Sequence, residues 1–290
     1  MNFYPFLLVI ISAISHAYWN FLVKKSEDKD LFVALSKITE VLLFLIPFTV
    51  VLIHSGIDLQ YWYFILIAAF FVFLNYFFLA KSYKYIDLTI AYPISRSSTL
   101  FLPLIAYLFI GETINLIGIL SVICVTLGVI IINLGDNSEK PLKSFIKTLK
   151  SPGAVFAILA ALTVASYTVW DKMAIREIHP FLYFYSYTLF VAIFYFLKLV
   201  LQYKPKKLFD HWIKMKSGII QVAFFNTFTY LLVLIALSSS KATYIGALRQ
   251  LSLIFGGFLG WKYLNESLTS YRVWGISLIL LGGILTLFAK

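Results

Sequence analysis

The chain contains one cysteine, Cys124, in 290 residues. A lone thiol inside an apolar run makes no intrachain disulfide and builds no metal site. Charged residues are also scarce, at 13%, where soluble domains carry roughly 25%. Hydrophobic residues supply 61% and the mean hydropathy is +0.90. This balance excludes an ordinary soluble core and points to an integral membrane protein. Long polar stretches are missing too. The longest connections read as 135–152 (GDNSEKPLKSFIKTLKSP) and 202–216 (QYKPKKLFDHWIKMK), which leaves no room for a soluble domain. A G-x-x-x-x-G-K-[ST] phosphate loop is absent, so direct drive by ATP is not expected. Neither G-x-S-x-G, nor H-E-x-x-H, nor a paired-cysteine motif occurs. No catalytic residue, metal or cofactor is expected, and the chain does not read as an enzyme.

The net charge of +11 does not make a nucleic-acid surface. The basic residues lie between apolar runs and do not share one face. The first residues, MNFYPFLLVIISAISHAYWN, have no basic lead and no small-residue cleavage pattern, so they read as a first span. A helical span needs about 20 mostly apolar residues. Ten such segments are predicted, at about 3–23, 31–53, 60–80, 87–110, 114–134, 153–173, 180–201, 217–238, 242–261 and 271–289. Their length and uniform apolarity suit helices and exclude barrel strands.

The two halves resemble each other. LFIGETINLIGILSVICVTLGVII and KYLNESLTSYRVWGISLILLGGIL align without a gap, placing Glu112 on Glu266, Thr113 on Ser267, Leu127 on Leu281 and Gly128 on Gly282. SHAYWN (15–20) matches SYTVWD (166–171), placing Trp19 on Trp170 and Asn20 on Asp171. Five spans per half is an odd number, so the second half enters the membrane from the opposite side. The expected fold is all-α, with ten transmembrane helices as two inverted five-helix repeats at 1–135 and 153–290, joined by a basic linker at 136–152.

The Gly-Glu corner at Gly111–Glu112, its counterpart Asn265–Glu266, and the glycine-rich LGGIL (281–285) resemble the drug/metabolite transporter superfamily. Within it, the chain is similar to the ten-helix EamA-type proteins over nearly its whole length. SHAYWNFLVKKS (15–26) and AYPISR (91–96) look like one subgroup of that family. The resemblance implies transport of a metabolite and leaves its identity open.

Of 24 Lys and Arg residues, 18 fall on the side of the loops after spans 1, 3, 5, 7 and 9. The positive-inside rule places that side in the cytoplasm and both termini outside. This is the reverse of the orientation that the family resemblance commonly implies.

Two arginines lie within spans. Arg96 is about nine residues into span 4, roughly 14 Å deep, and Arg249 lies at roughly 11 Å in span 9. Each costs roughly 2.5–3.5 kcal/mol to insert. Snorkelling or pairing with carbonyls would be a purely structural account. The functional one is an anion site, since the guanidinium fork bonds carboxylate or phosphate at two points. Pro93 and Pro103 are expected to kink span 4 beside Arg96.

Tyr92, Trp19, Asn75, Asn226 and Tyr230 are candidate contacts, each also explicable by packing or interhelical hydrogen bonds. Glu40 is either paired locally with Lys37 or a counter-ion and proton carrier for the arginines. His16 is a second coupling candidate. Trp170 and Asp171, near a helix end, read as interfacial anchors. Glu112 and Glu266 read as caps of the helices that follow them. Gly256, Gly257, Gly260, Gly282 and Gly283 read as points of close helix approach.

The leading expectation is a secondary transporter for a small anionic or zwitterionic metabolite in the cell membrane. It would be a monomer or weak dimer whose partners are its substrate and the lipid bilayer. One alternative is an exporter of aromatic amino acids or cationic drug-like compounds, with Glu40 as charge partner. Another is a non-transporting membrane protein, such as a lipid-modifying enzyme or a receptor.

Overall fold

The computed structural model describes residues 1–86, 91, 94–132, 149–265, 267 and 269–289. Regular structure among these residues is helical throughout. The first half forms α1 (Phe3–Lys25), α2 (Lys29–Ser55), α3 (Trp62–Tyr85), α4 (Ser98–Ile110) and α5 (Leu116–Ile132). The second forms α6 (Pro152–Ala174), α7 (Pro180–Gln202), α8 (Pro205–Ser239), α9 (Ala242–Arg249), α10 (Ser252–Leu264) and α11 (Ser270–Phe288). Seven helices among the described residues are long and apolar enough to cross a membrane. Ile94–Ile110 and Leu116–Ile132 are shorter apolar helices.

Local chemistry sets the ends. Asp28 accepts from the Leu31 N–H at 3.0 Å, and Ser151 from the Ala154 N–H at 3.2 Å, each satisfying a donor that the first turn leaves unpaired. Pro152, Pro180 and Pro205 open their helices where no N–H is needed. Gly111 (φ 64°) ends α4 and Asn265 (φ 55°) ends α10. These residues occupy aligned positions in the two halves, and both adopt the left-handed conformation that Gly and Asn tolerate best.

Segment 202–216, expected to be a loop, is mostly helix. Pro205 starts α8, and the helix runs 35 residues to Ser239, about 52 Å at 1.5 Å per residue. No proline or glycine follows Pro205 until Gly218, and Lys, Leu, Met and Trp extend the turn that the proline begins. Most of the linker, 136–148, lies outside the described residues, as does Glu266.

The principal contacts between the halves come in matched sets. α3 packs on α6, and the equivalent pair α8 packs on α1. α4 lies against α6, as α10 lies against α1. α2 meets α7, α4 meets α9, and α5 meets α11. The α5–α11 contact depends on missing side chains. A Cβ on Gly128 would sit 2.7 Å from the Gly275 carbonyl oxygen, and one on Gly282 would sit 2.8 Å from that of Ser121. Gly283 is also tight, against Leu251 at 3.2 Å. Gly256 behaves otherwise: among the described residues no atom lies within 4 Å of its missing Cβ, so it serves no close approach there. Gly257 barely makes contact, at 4.0 Å.

α6 lies at the centre. Ala154, Ala157, Ala160, Ala161 and Ala165 are fully buried, and their small size lets the neighbouring helices come close. Large side chains such as Ile46, Ile53, Leu108 and Leu201 point outwards. In a bilayer these faces meet lipid, which offers an apolar surface no less favourable than a protein core.

Candidate functional site

Both arginines stand at interruptions of their helices. Residues 94–96 are helical, Ser97 forms a turn, and α4 begins at Ser98. The Ser97 N–H donates to the Ile94 carbonyl at 3.1 Å, and the Leu100 N–H to the Ser97 carbonyl at 2.9 Å. Arg249 ends α9, and Gln250–Leu251 form a turn before α10. The Gln250 N–H donates to Ala247 at 3.1 Å, and the Leu251 N–H to Leu248 at 3.0 Å. Bonds spanning three residues tighten each helix and re-aim the side chains on either side.

Proline does not cause the second interruption, since residues 242–264 contain none. Pro103 lies inside α4, away from the Ser97 turn, and Pro93 is outside the described residues. Alignment of the halves sets Gln250 opposite Arg96 and Arg249 opposite Ser95. The two guanidinium groups therefore come from adjacent, not identical, repeat positions.

These interruptions flank a cavity of about 280 Å³. Arg96, Arg249, His16, Trp19, Asn75, Asn226 and Tyr230 all line it. Tyr92 lies outside the described residues. Among the lining residues not singled out from sequence are Tyr167, Thr168, Thr229 and Gln250. The repeat contained a signal for Tyr167 and Gln250. Tyr167 aligns with His16, and Gln250 with Arg96.

Several polar groups on the wall are held from behind. The Asn20 amide donates to the His16 carbonyl at 2.7 Å and approaches its ring nitrogens. His16 meets Trp19 edge-on at 4.9 Å between ring centroids. Asn75 donates to the Ala160 carbonyl at 3.1 Å. Three wall residues each hold a buried side-chain atom with no hydrogen-bond partner among the described residues: Trp19 Nε1, Thr229 Oγ1 and Gln250 Oε1. The aligned Trp170 differs, donating its Nε1–H to the Phe64 carbonyl at 3.0 Å. One tryptophan of the pair thus spends its donor on a neighbouring helix, and the other keeps a buried donor without a partner among the described residues.

Glu40 is not brought to the arginines. Lys37 pairs with it at 2.9 Å, and its other oxygen accepts from Asn226 at 2.8 Å and Thr227 at 2.7 Å. The carboxylate ties α2 to α8 and orients the Asn226 amide on the cavity wall. Glu112 also differs from its expected role. Its carboxylate accepts from the Ala242 N–H at 2.8 Å and the Thr243 N–H at 2.9 Å, so it caps α9 and not the helix that follows it. Lys172 joins it at 3.4 Å. The cap fixes the start of the helix that ends at Arg249.

Asp171, read from sequence as an interfacial anchor, is 2% exposed. It accepts from the Tyr183 hydroxyl at 2.7 Å and the Tyr230 hydroxyl at 2.5 Å. The Arg249 guanidinium stacks over the Tyr230 ring at 5.5 Å.

A solved structure described as "Crystal structure of protein" is similar in fold, with a TM-score of 0.67 and 12% identity, covering 97% of this chain and 94% of that one. No curated protein matches the chain in sequence. Residues 4–134 and 151–288 each match the EamA-like transporter family, one repeat in each half. The chain belongs to the EamA-like transporter family and is a multi-pass membrane transporter of the drug/metabolite superfamily.

Proposed function

We propose that the protein is a secondary transporter of a small anionic or zwitterionic metabolite, binding it between Arg96 and Arg249. The observation that carries this reading is their position. Both stand at helix interruptions on the wall of one cavity. Interrupted helices with polar side chains directed at a midplane cavity are the usual plan of transporter sites. Two guanidinium groups in a site sheltered from bulk water favour carboxylate, phosphate or phosphonate. Trp19 Nε1 and the Thr229 hydroxyl add donors that the protein leaves unpaired, and Gln250 Oε1 adds an acceptor.

Ten spans in two inverted halves are part of this proposal. α5 and α11 touch in antiparallel order, Gly128 on Gly275 and Ser121 on Gly282, as an in-plane axis requires. Alternating access would rock one half against the other around the cavity, with the basic loops in the cytoplasm of a cell-membrane protein. The cationic-substrate alternative needs a free carboxylate at Glu40, but Glu40 is occupied by Lys37, Asn226 and Thr227. A thermal-shift screen of purified protein against organic anions and organic cations tests the proposal, since a ligand raises apparent stability by mass action. Stabilisation by anions supports it, and stabilisation by cations alone overturns it.

A further inference from the structure

We infer that Asp171 is a proton-binding site coupled through Tyr230 and Arg249 to the anion site. This rests on the anion reading above. The two repeats differ at this position. Asp171 aligns with Asn20, which cannot ionise, so this position titrates in one half only. Tyr183 and Tyr230 align with Phe32 and Leu79, so the hydroxyls that hold the carboxylate are also confined to the second half.

Asp171 is buried, and each of its oxygens accepts one tyrosine hydroxyl. Tyr230 links it to the cavity, since its ring is part of the wall and lies beneath Arg249. The surroundings from other elements can be named. From α7, Tyr183 bonds it and Tyr187 lies behind, edge-on to Tyr183 at 5.3 Å. From α8 comes Tyr230, and from α9 the cation Arg249. α3 presents Tyr63, Phe64 and Phe71 to the neighbouring Trp170. α4 holds no Asp, Glu, Lys or Arg. Lys172, next in sequence, is engaged by Glu112 and the Ser240 carbonyl. Arg96 shares the cavity wall, but among the described residues it is Arg249 that lies over the ring of the tyrosine bonded to Asp171.

The coupling follows from charge. Without a bound anion, the Arg249 charge favours the Asp171 carboxylate. A bound anion neutralises Arg249 and withdraws that support, so Asp171 gains affinity for a proton. Protonation then converts an oxygen that accepts from Tyr230 into one that can donate to it. In the transfer itself, Tyr230 gives its hydroxyl proton to Asp171 Oδ2 and takes one from a hydronium in the cavity, which leaves as water. One anion and one proton then occupy the site together.

Infrared titration of the purified protein tests this without knowledge of the substrate. Because the chain carries 13 Asp and Glu residues, the signal is the difference between wild type and Asp171→Asn, which should hold one protonated-carboxyl band that grows as pH falls. Arg249→Gln, which imitates the neutralised guanidinium, should raise the midpoint of that band, reflecting an increase in proton affinity of about tenfold or more. Tyr230→Phe removes one donor to the carboxylate and should move the midpoint the same way, which serves if Asp171→Asn folds poorly. A difference spectrum without the band, or a midpoint unmoved in both Arg249→Gln and Tyr230→Phe, overturns the inference. Anion uptake is measured on the same samples. Its absence with the band intact refutes the anion reading alone, and uptake without the band refutes this inference alone.

Discussion

Gly128 touches Gly275 across α5 and α11, and the same contact recurs between Ser121 and Gly282 when the two halves are exchanged. The interface is built so that each helix presents small residues at equivalent heights. A side chain at these points meets backbone, which cannot move aside. At Gly275 a Cβ would lie 2.6 Å from the Ile132 nitrogen and 2.8 Å from the Gly128 oxygen. Gly275→Val is expected to cost about 1–3 kcal/mol by overpacking. Gly256→Ala, with open space around its Cβ, should be neutral or stabilise by roughly 0.5–1 kcal/mol. Thermal unfolding in one detergent compares them.

Glu112 is expected to act on the site through a helix end. Glu112→Ala strips two backbone donors of α9 of their acceptor and leaves Lys172 without its carboxylate. Loss of the cap should cost about 0.5–2 kcal/mol. Because α9 ends at Arg249, ligand affinity should fall in the folded fraction as well. A thermal shift measured with and without a stabilising anion separates the two effects.

Glu40 and Asp171 should part company. Glu40→Gln removes the partner of Lys37 and weakens the bonds from Asn226 and Thr227. A cost of about 3 kcal/mol is expected for breaking such a buried pair. The pH profile of transport in the surviving protein should be unchanged. Asp171→Asn should flatten the pH profile at smaller cost to folding. Unfolding temperature and uptake against pH, measured for both variants, give the comparison.

Orientation is tested by labelling. In a Cys124→Ser background, a cysteine at Ser144 in the basic linker should escape a membrane-impermeant thiol reagent applied to intact cells. Modification from outside would reverse the assigned orientation.

Much of this was legible in the sequence because hydropathy and repeat alignment report directly on spans and halves. The cavity arginines stood out because a cation deep in an apolar run is costly. Asp171 did not, because it lies three residues before the end of α6 and its burial depends on Tyr183 and Tyr230 from other helices. The fixed state of Glu40 was half visible. Lys37 is local, whereas Asn226 and Thr227 are more than 180 residues away. The interruption after Arg249 carries no proline or glycine at the turn, so composition gave no sign of it. Glu112 pointed to a cap, but only tertiary structure shows which helix it caps.

The central claim is that Arg96 and Arg249 hold an anion and are not merely structural. Uptake of a stabilising anion by proteoliposomes carrying wild type, Arg96→Lys, Arg96→Gln or Arg249→Gln tests it most directly. Either Gln variant should remain folded, since removing an intramembrane charge removes its insertion cost. Each should lose about 2–5 kcal/mol of binding, well beyond a tenfold fall in affinity. Arg96→Lys should fall between, keeping the charge and losing the planar fork. Folded Gln variants that take up the anion at the wild-type rate and affinity would contradict the account.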